Sequence, residues 1–155
     1  MHVGGVEALS APRSASLVEL QAYWLKKKGT QAAPPRSAIA PEEIRHLLPH
    51  ILLIDVVGDP PRFRARLVGS ALVTAYGEEV TGKFGDEIDL NGVAPDLMAF
   101  VETAARTCKP QFLLAEYTKG SGRHLKYEQI ILPLSEDGET VSMLLCGFAV
   151  EEAYG

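Results

Sequence analysis

The residues of this 155-residue chain that could do chemistry are few and scattered. His46 and His50 stand four apart, the spacing that puts two imidazoles on one helical face, but Pro49 interrupts the run and no further ligand follows nearby. They read as solvated histidines at a helix end, and no metal site is expected. Cys108 and Cys146 are isolated on apolar stripes, where a cysteine usually serves as a small buried hydrophobe. Gly120-Ser121-Gly122 could pass for a phosphate cradle or a nucleophile elbow, yet it lies between two strand patterns with no helix after it, as a hairpin turn does. Asp86, Glu87 and Asp89 cluster without the ligand spacing of a cation loop. No nucleophile, base and acid assemble from these residues, so the chain is expected not to be an enzyme.

Binding has more behind it. In residues 124–134, Leu125, Tyr127, Gln129 and Ile131 share one face of a strand, which sets a phenol and a carboxamide among apolar neighbours. Buried polar groups need partners, and a ligand can be one. Tyr76, Phe100, Tyr117 and Phe148 could complete the lining of such a pocket, or their bulk could fill it. In the second case Tyr127 and Gln129 satisfy each other, the backbone or buried water.

Composition bounds the rest. A 46% hydrophobic content in a chain near the usual single-domain size supplies one core. Fifteen Lys and Arg against 20 Asp and Glu give a net charge of -5, which argues against binding a nucleic-acid backbone. Two cysteines and no basic start followed by an apolar run point to the cytoplasm, and no apolar run reaches the ~20 residues of a membrane helix.

The elements that would position these residues can be read from periodicity. Residues 1–15 show no period and read as a flexible tail. A capping box at Ser16 and Glu19 opens a helix over 16–28 with Leu17, Leu20 and Trp24 at helical spacing, and Gly29 ends it. A short helix follows from Pro41. Residues 51–57 and 62–67 form a hairpin, Ser70 caps a short helix, and a longer one starts at Pro95 with Leu97, Phe100, Val101, Ala104 and Cys108 on one stripe. Three strands complete the domain over 16–150, and residues 151–155 read as a second tail. Helices and an antiparallel sheet in this order make an α+β fold.

The wording of the chain carries a resemblance. Tyr23-Trp24, Pro35-Arg36, Pro41-Glu42-Glu43-Ile44, Leu48-Pro49-His50, Pro61-Arg62-Phe63-Arg64-Ala65-Arg66-Leu67-Val68-Gly69, Thr81-Gly82 and Leu132-Pro133-Leu134-Ser135 occur in an order that resembles small, single-domain bacterial PAS proteins. The resemblance implies a five-stranded antiparallel sheet around a pocket, with helices on its concave face, used for sensing, signalling or dimerisation. It also brings cofactors to test. The flavin photosensors of the superfamily use a cysteine near the start of the central helices, and residues 78–92 contain none; haem-binding members offer a histidine from the long helix or an adjacent strand, and only His124 stands near one. Neither flavin nor haem is expected.

The outer face of the same strand ends in Ile130, Leu132 and Leu134, and the last strand is apolar on both faces. Something must cover this surface, and the first helix, through Leu17, Leu20 and Trp24, is the natural lid from its own chain or from a partner. A homodimer is expected. The leading expectation is a sensory or regulatory module that binds a small molecule or a signalling protein; a ligand-free interaction domain comes second and a small enzyme third.

Overall fold

A computed structural model describes residues 4–155. Its centre is one antiparallel sheet of six strands: β1 (Gly5–Leu9), β2 (Ile51–Val57), β3 (Arg62–Val68), β4 (Gln111–Thr118), β5 (His124–Ser135) and β6 (Val141–Tyr154). Across the sheet the order is β1-β4-β5-β6-β2-β3. The meander β4-β5-β6 and the hairpin β2-β3 therefore meet through β2 and β6, where Leu53 faces Leu145. Three α-helices accompany the sheet: α1 (Ala15–Lys28), α2 (Ser70–Tyr76) and α3 (Ala94–Thr107).

The fold class stands as expected, with two differences at the chain ends. Part of the expected tail is a sixth strand: β1 pairs with β4 from Gly5 opposite Glu116 to Leu9 opposite Phe112, while residues 1–3 of that tail lie outside the described residues. The strand satisfies an edge of the sheet with backbone bonds, so no side-chain period announces it. At the other end β6 continues through Glu151 and Glu152 to Tyr154, opposite His124, where a second tail was expected. A register shift at Lys126 and Tyr127 takes up one extra residue there.

Alternation divides β5 and β6 between two cores. On the inner face Leu125, Tyr127, Ile131, Leu144 and Cys146 pack with Leu97, Val101 and Ala104 of α3. On the outer face Ile130, Leu132, Leu134 and Leu145 pack with Leu17, Leu20 and Trp24 of α1 and with Ile44 and Leu47 of the 3-10 segment Pro41–His50. That segment was expected to be an ordinary short helix; Pro49 inside it and the non-helical Ile44 keep it from forming one.

The lid is supplied by the same chain. Trp24 Nε1 donates a 2.8 Å hydrogen bond to the Pro133 carbonyl, and both residues are fully buried. Leu17, Leu20, Ile130 and Leu132 are likewise closed to solvent within one chain. The wet apolar surface that argued for a homodimer through these five residues is thus absent from the folded chain. The start of α1 is fixed by Glu128, 3% exposed, whose carboxylate accepts from the Arg13 and Ser14 amides and from the Ser14 hydroxyl. Ser14 is the residue before the helix, not Ser16, and Glu19 pairs with His46 instead of closing a capping box. Long-range partners outbid the local cap.

Gly69 joins β3 to α2 at a place no other residue fits: an added Cβ would stand 2.3 Å from the Pro49 carbonyl oxygen. Among the described residues no helix is long and apolar enough to cross a membrane.

Candidate functional site

Between α2, α3 and the inner face of the sheet lies a cavity of about 160 Å³. Its walls are mostly apolar: Leu52 and Ile54 from β2, Phe63 and Ala65 from β3, Leu72 from α2, and Leu97, Met98 and Val101 from α3. Exposed Glu78 stands at its edge. Five of the six pocket residues expected from sequence line it, namely Tyr76, Tyr117, Tyr127, Gln129 and Phe148. Phe100 does not. Each residue of an α-helix turns about 100°, so the stripe of Leu97, Val101 and Ala104 that faces the sheet leaves Phe100 on a flank and brings Met98 to the cavity instead.

The polar groups of the cavity sit together on the β4-β5-β6 wall. Tyr117 and Tyr127 meet edge to face with ring centres 6.2 Å apart, and Tyr127 lies 5.2 Å from the Phe148 ring. Burial pushes both phenols well above the usual tyrosine range, and each also feels the other's hydroxyl. Gln129 reaches the Cys146 sulfur. Burial pushes that thiol up to about 12, and the Gln129 bond opposes the rise. Among the described residues no buried side-chain polar atom lacks a partner. Cys146 gives the Gln129 amide a weak sulfur partner.

The far end of the cavity is held by the β4-β5 turn. Lys119, 7% exposed, donates to the Tyr76 carbonyl at 3.0 Å and sits 3.6 Å from the centre of the Tyr76 ring. Arg123 donates to the Ala75 and Thr74 carbonyls. Two cations thus close the C-terminal end of α2, where unpaired carbonyls and the helix dipole favour positive charge. The Tyr76 hydroxyl donates to the Asp89 carbonyl, and burial pushes its phenol up to about 12. Sequence reading missed Lys119 because a lysine beside a glycine-rich turn looks solvated.

A sheet of this order with helices over a cavity on one face can be compared with known families. The family model for the PAS domain matches residues 12–148. The chain belongs to the PAS domain family. No curated protein matches it. Among solved structures, this PAS domain is similar to a light-oxygen-voltage domain studied with a flavin analogue, at 11% identity and a TM-score of 0.57 over 72% of this chain and 83% of that one. It is similar to an RNA-binding light-oxygen-voltage receptor, at 12% identity and a TM-score of 0.58, over 96% of this chain but only 38% of the receptor. A third likeness is to the PAS domain from Bordetella pertussis BvgS, at 22% identity and a TM-score of 0.50 over 72% of this chain and 85% of that one. At these identities the likeness is one of fold.

Among the described residues neither Cys108 nor Cys146 lines the cavity, and no histidine does. Cys146 is fully buried in the inner core, and His124, the histidine that stood nearest to a haem role, is on the outer face of β5 with Glu116 and Glu152. His46 is bound to Glu19 at the surface. The acidic cluster at Asp86 to Asp89 is used structurally: Asp86 holds Arg62, and Asp89 accepts from the Asn91 and Gly120 amides.

Proposed function

We propose that this PAS domain is a regulatory module that senses a small, largely apolar molecule held in the cavity between α2, α3 and the sheet. The observation that carries the reading is the cavity itself. At about 160 Å³ it is comparable with apolar cavities of roughly 150 Å³ that take up benzene. A ligand of one ring, or an aliphatic chain of similar bulk, fits that space. Its one polar group would meet Gln129 and the Tyr117 and Tyr127 phenols, exchanging the weak Gln129 bond to sulfur for a stronger one. Tyr76, Tyr117, Tyr127, Gln129 and Phe148 are the proposed contacts.

The cavity supports this reading over that of an interaction domain with a filled core. The output then passes to a signalling protein or a second copy of the chain, without catalysis. Native mass spectrometry of protein purified from its own host tests the proposal. The expected result is a retained small molecule in the wild type that is lost in Ala75→Phe, whose ring would occupy the cavity from α2. The same mass on both proteins, or a bare chain in both, would remove the sensing role from this cavity.

A further inference from the structure

On the outer face of the sheet, beyond Glu128 and away from α1, three side chains from three adjacent strands converge. His124 Nε2 lies 3.0 Å from Glu116 Oε2 and 3.3 Å from Glu152 Oε2. The three ligand atoms all fall within 4.8 Å of one another, and among the described residues no other group of three does so. A tetrahedral zinc ion with bonds of about 2.0–2.1 Å holds its ligand atoms about 3.3 Å apart, so only small side-chain shifts separate this cluster from a coordination sphere.

We propose that Glu116, His124 and Glu152 form a site for a divalent first-row transition metal, with Zn²⁺ as its expected occupant. Imidazole with carboxylates suits such ions, whereas Ca²⁺ and Mg²⁺ prefer oxygen alone. The second requirement of a zinc histidine is met as well: its other ring nitrogen, Nδ1, lies 3.0 Å from the Thr118 hydroxyl oxygen, which can accept a hydrogen bond from Nδ1–H and so direct Nε2 to the metal. The imidazole is 5% exposed and packs against the Tyr154 ring at 5.0 Å, while both carboxylates reach solvent. An ion could enter from that side and keep water in its remaining positions.

The strands make the site rigid. Glu116 and Glu152 both stand opposite Lys126, on either side of β5, and His124 is two residues along the same face. Metal would tie β4, β5 and β6 together directly behind Tyr117 and Leu125, a cross-strand pair that lines the cavity. The site is separate from the cavity and does not depend on the ligand proposal. None of its residues is adjacent to the other in sequence; sheet register alone assembles it.

Cobalt(II) titrated into the full chain tests the site. The expected result is one Co²⁺ per chain with the visible absorption of a four- or five-coordinate ion, and at least about tenfold weaker binding in the Glu116→Gln/Glu152→Gln double variant. Glu151→Gln, next to the cluster but outside it, should bind like the wild type. Zn²⁺ should raise the melting temperature of the wild type and not that of the double variant. If the double variant fails to fold, Glu152→Gln alone, at an open position on β6, gives the same comparison. Equal affinity in wild type and variant, including no uptake by either, would overturn the proposal. So would Co²⁺ binding that disappears with His46→Ala.

Discussion

Gly147 makes room for Leu20: a Cβ added to this β6 glycine would stand 2.6 Å from Leu20 Cδ2 and 3.0 Å from Leu17 Cδ2. The backbone there is not in a glycine-specific conformation, so the constraint is space and not strain. It couples the last strand to the first helix. The helix seats on the sheet because one position of β6 has no side chain, and Ile130 on the neighbouring strand, directly opposite Gly147, fills the same seam.

Gly147→Ala should therefore lower stability by about 1–3 kcal/mol, the range for overpacking a close-packed core. Urea unfolding of the purified chain measures it. A loss below a few tenths of a kcal/mol would mean that α1 shifts freely over the sheet.

Trp24→Ala should cost about 3–5 kcal/mol, because it opens a cavity under α1, and should do so equally at all protein concentrations. Trp24→Phe keeps most of the bulk but leaves the buried Pro133 carbonyl without its donor, at about 1–3 kcal/mol. Thermal unfolding over a dilution series, with light scattering for mass, separates this from a dimer seam: a penalty that grows on dilution would place the tryptophan between chains.

Gln129→Leu should leave the empty fold nearly unchanged, since the amide's partner is a weak sulfur acceptor and leucine has similar bulk. Retention of the cavity ligand should fall sharply. Tyr127→Phe should also weaken retention, because it removes the phenol hydroxyl from the same wall of the cavity. Mass spectrometry and melting curves on both variants decide; full ligand retention in Gln129→Leu would take the amide out of the contact set.

Tyr117 and Tyr127 should stay protonated in the folded chain well past pH 10. The folded values lie above the unfolded one, so below pH 10 both states hold the protons and stability is at its full value. Above pH 10 the unfolded chain releases protons the folded chain keeps, and stability falls by about 1.4 kcal/mol per pH unit for each such phenol. Tyrosinate absorbance with parallel urea titrations checks this. Ionisation of all five tyrosines in one step near pH 10, with the fold intact, would contradict the burial of this pair.

Local pattern was enough for most of the sheet and for one wall of the cavity. The alternation that put Tyr127 and Gln129 among leucine and isoleucine is a property of β5 alone, and the stripe on α3 is a property of one helix; each follows from a fixed angle per residue, whatever lies across from it. The cysteine of flavin photosensors and the histidine of haem-binding members, neither of them expected here, can be judged in sequence only by position in the chain, which does not show the face that His124 occupies. Tertiary structure decided everything that depends on which backbones meet. β1 is a strand because β4 offers it an edge more than a hundred residues away, and the end of β6 is a strand because β5 is long enough to pair with it. Whether α1 covers its own sheet or a partner's is invisible in sequence, since the apolar faces match equally well in both arrangements. The absent side chain at Gly147, the Lys119 clamp on α2 and the meeting of Glu116, His124 and Glu152 likewise come from register and packing between distant segments, which periodicity along a chain cannot express.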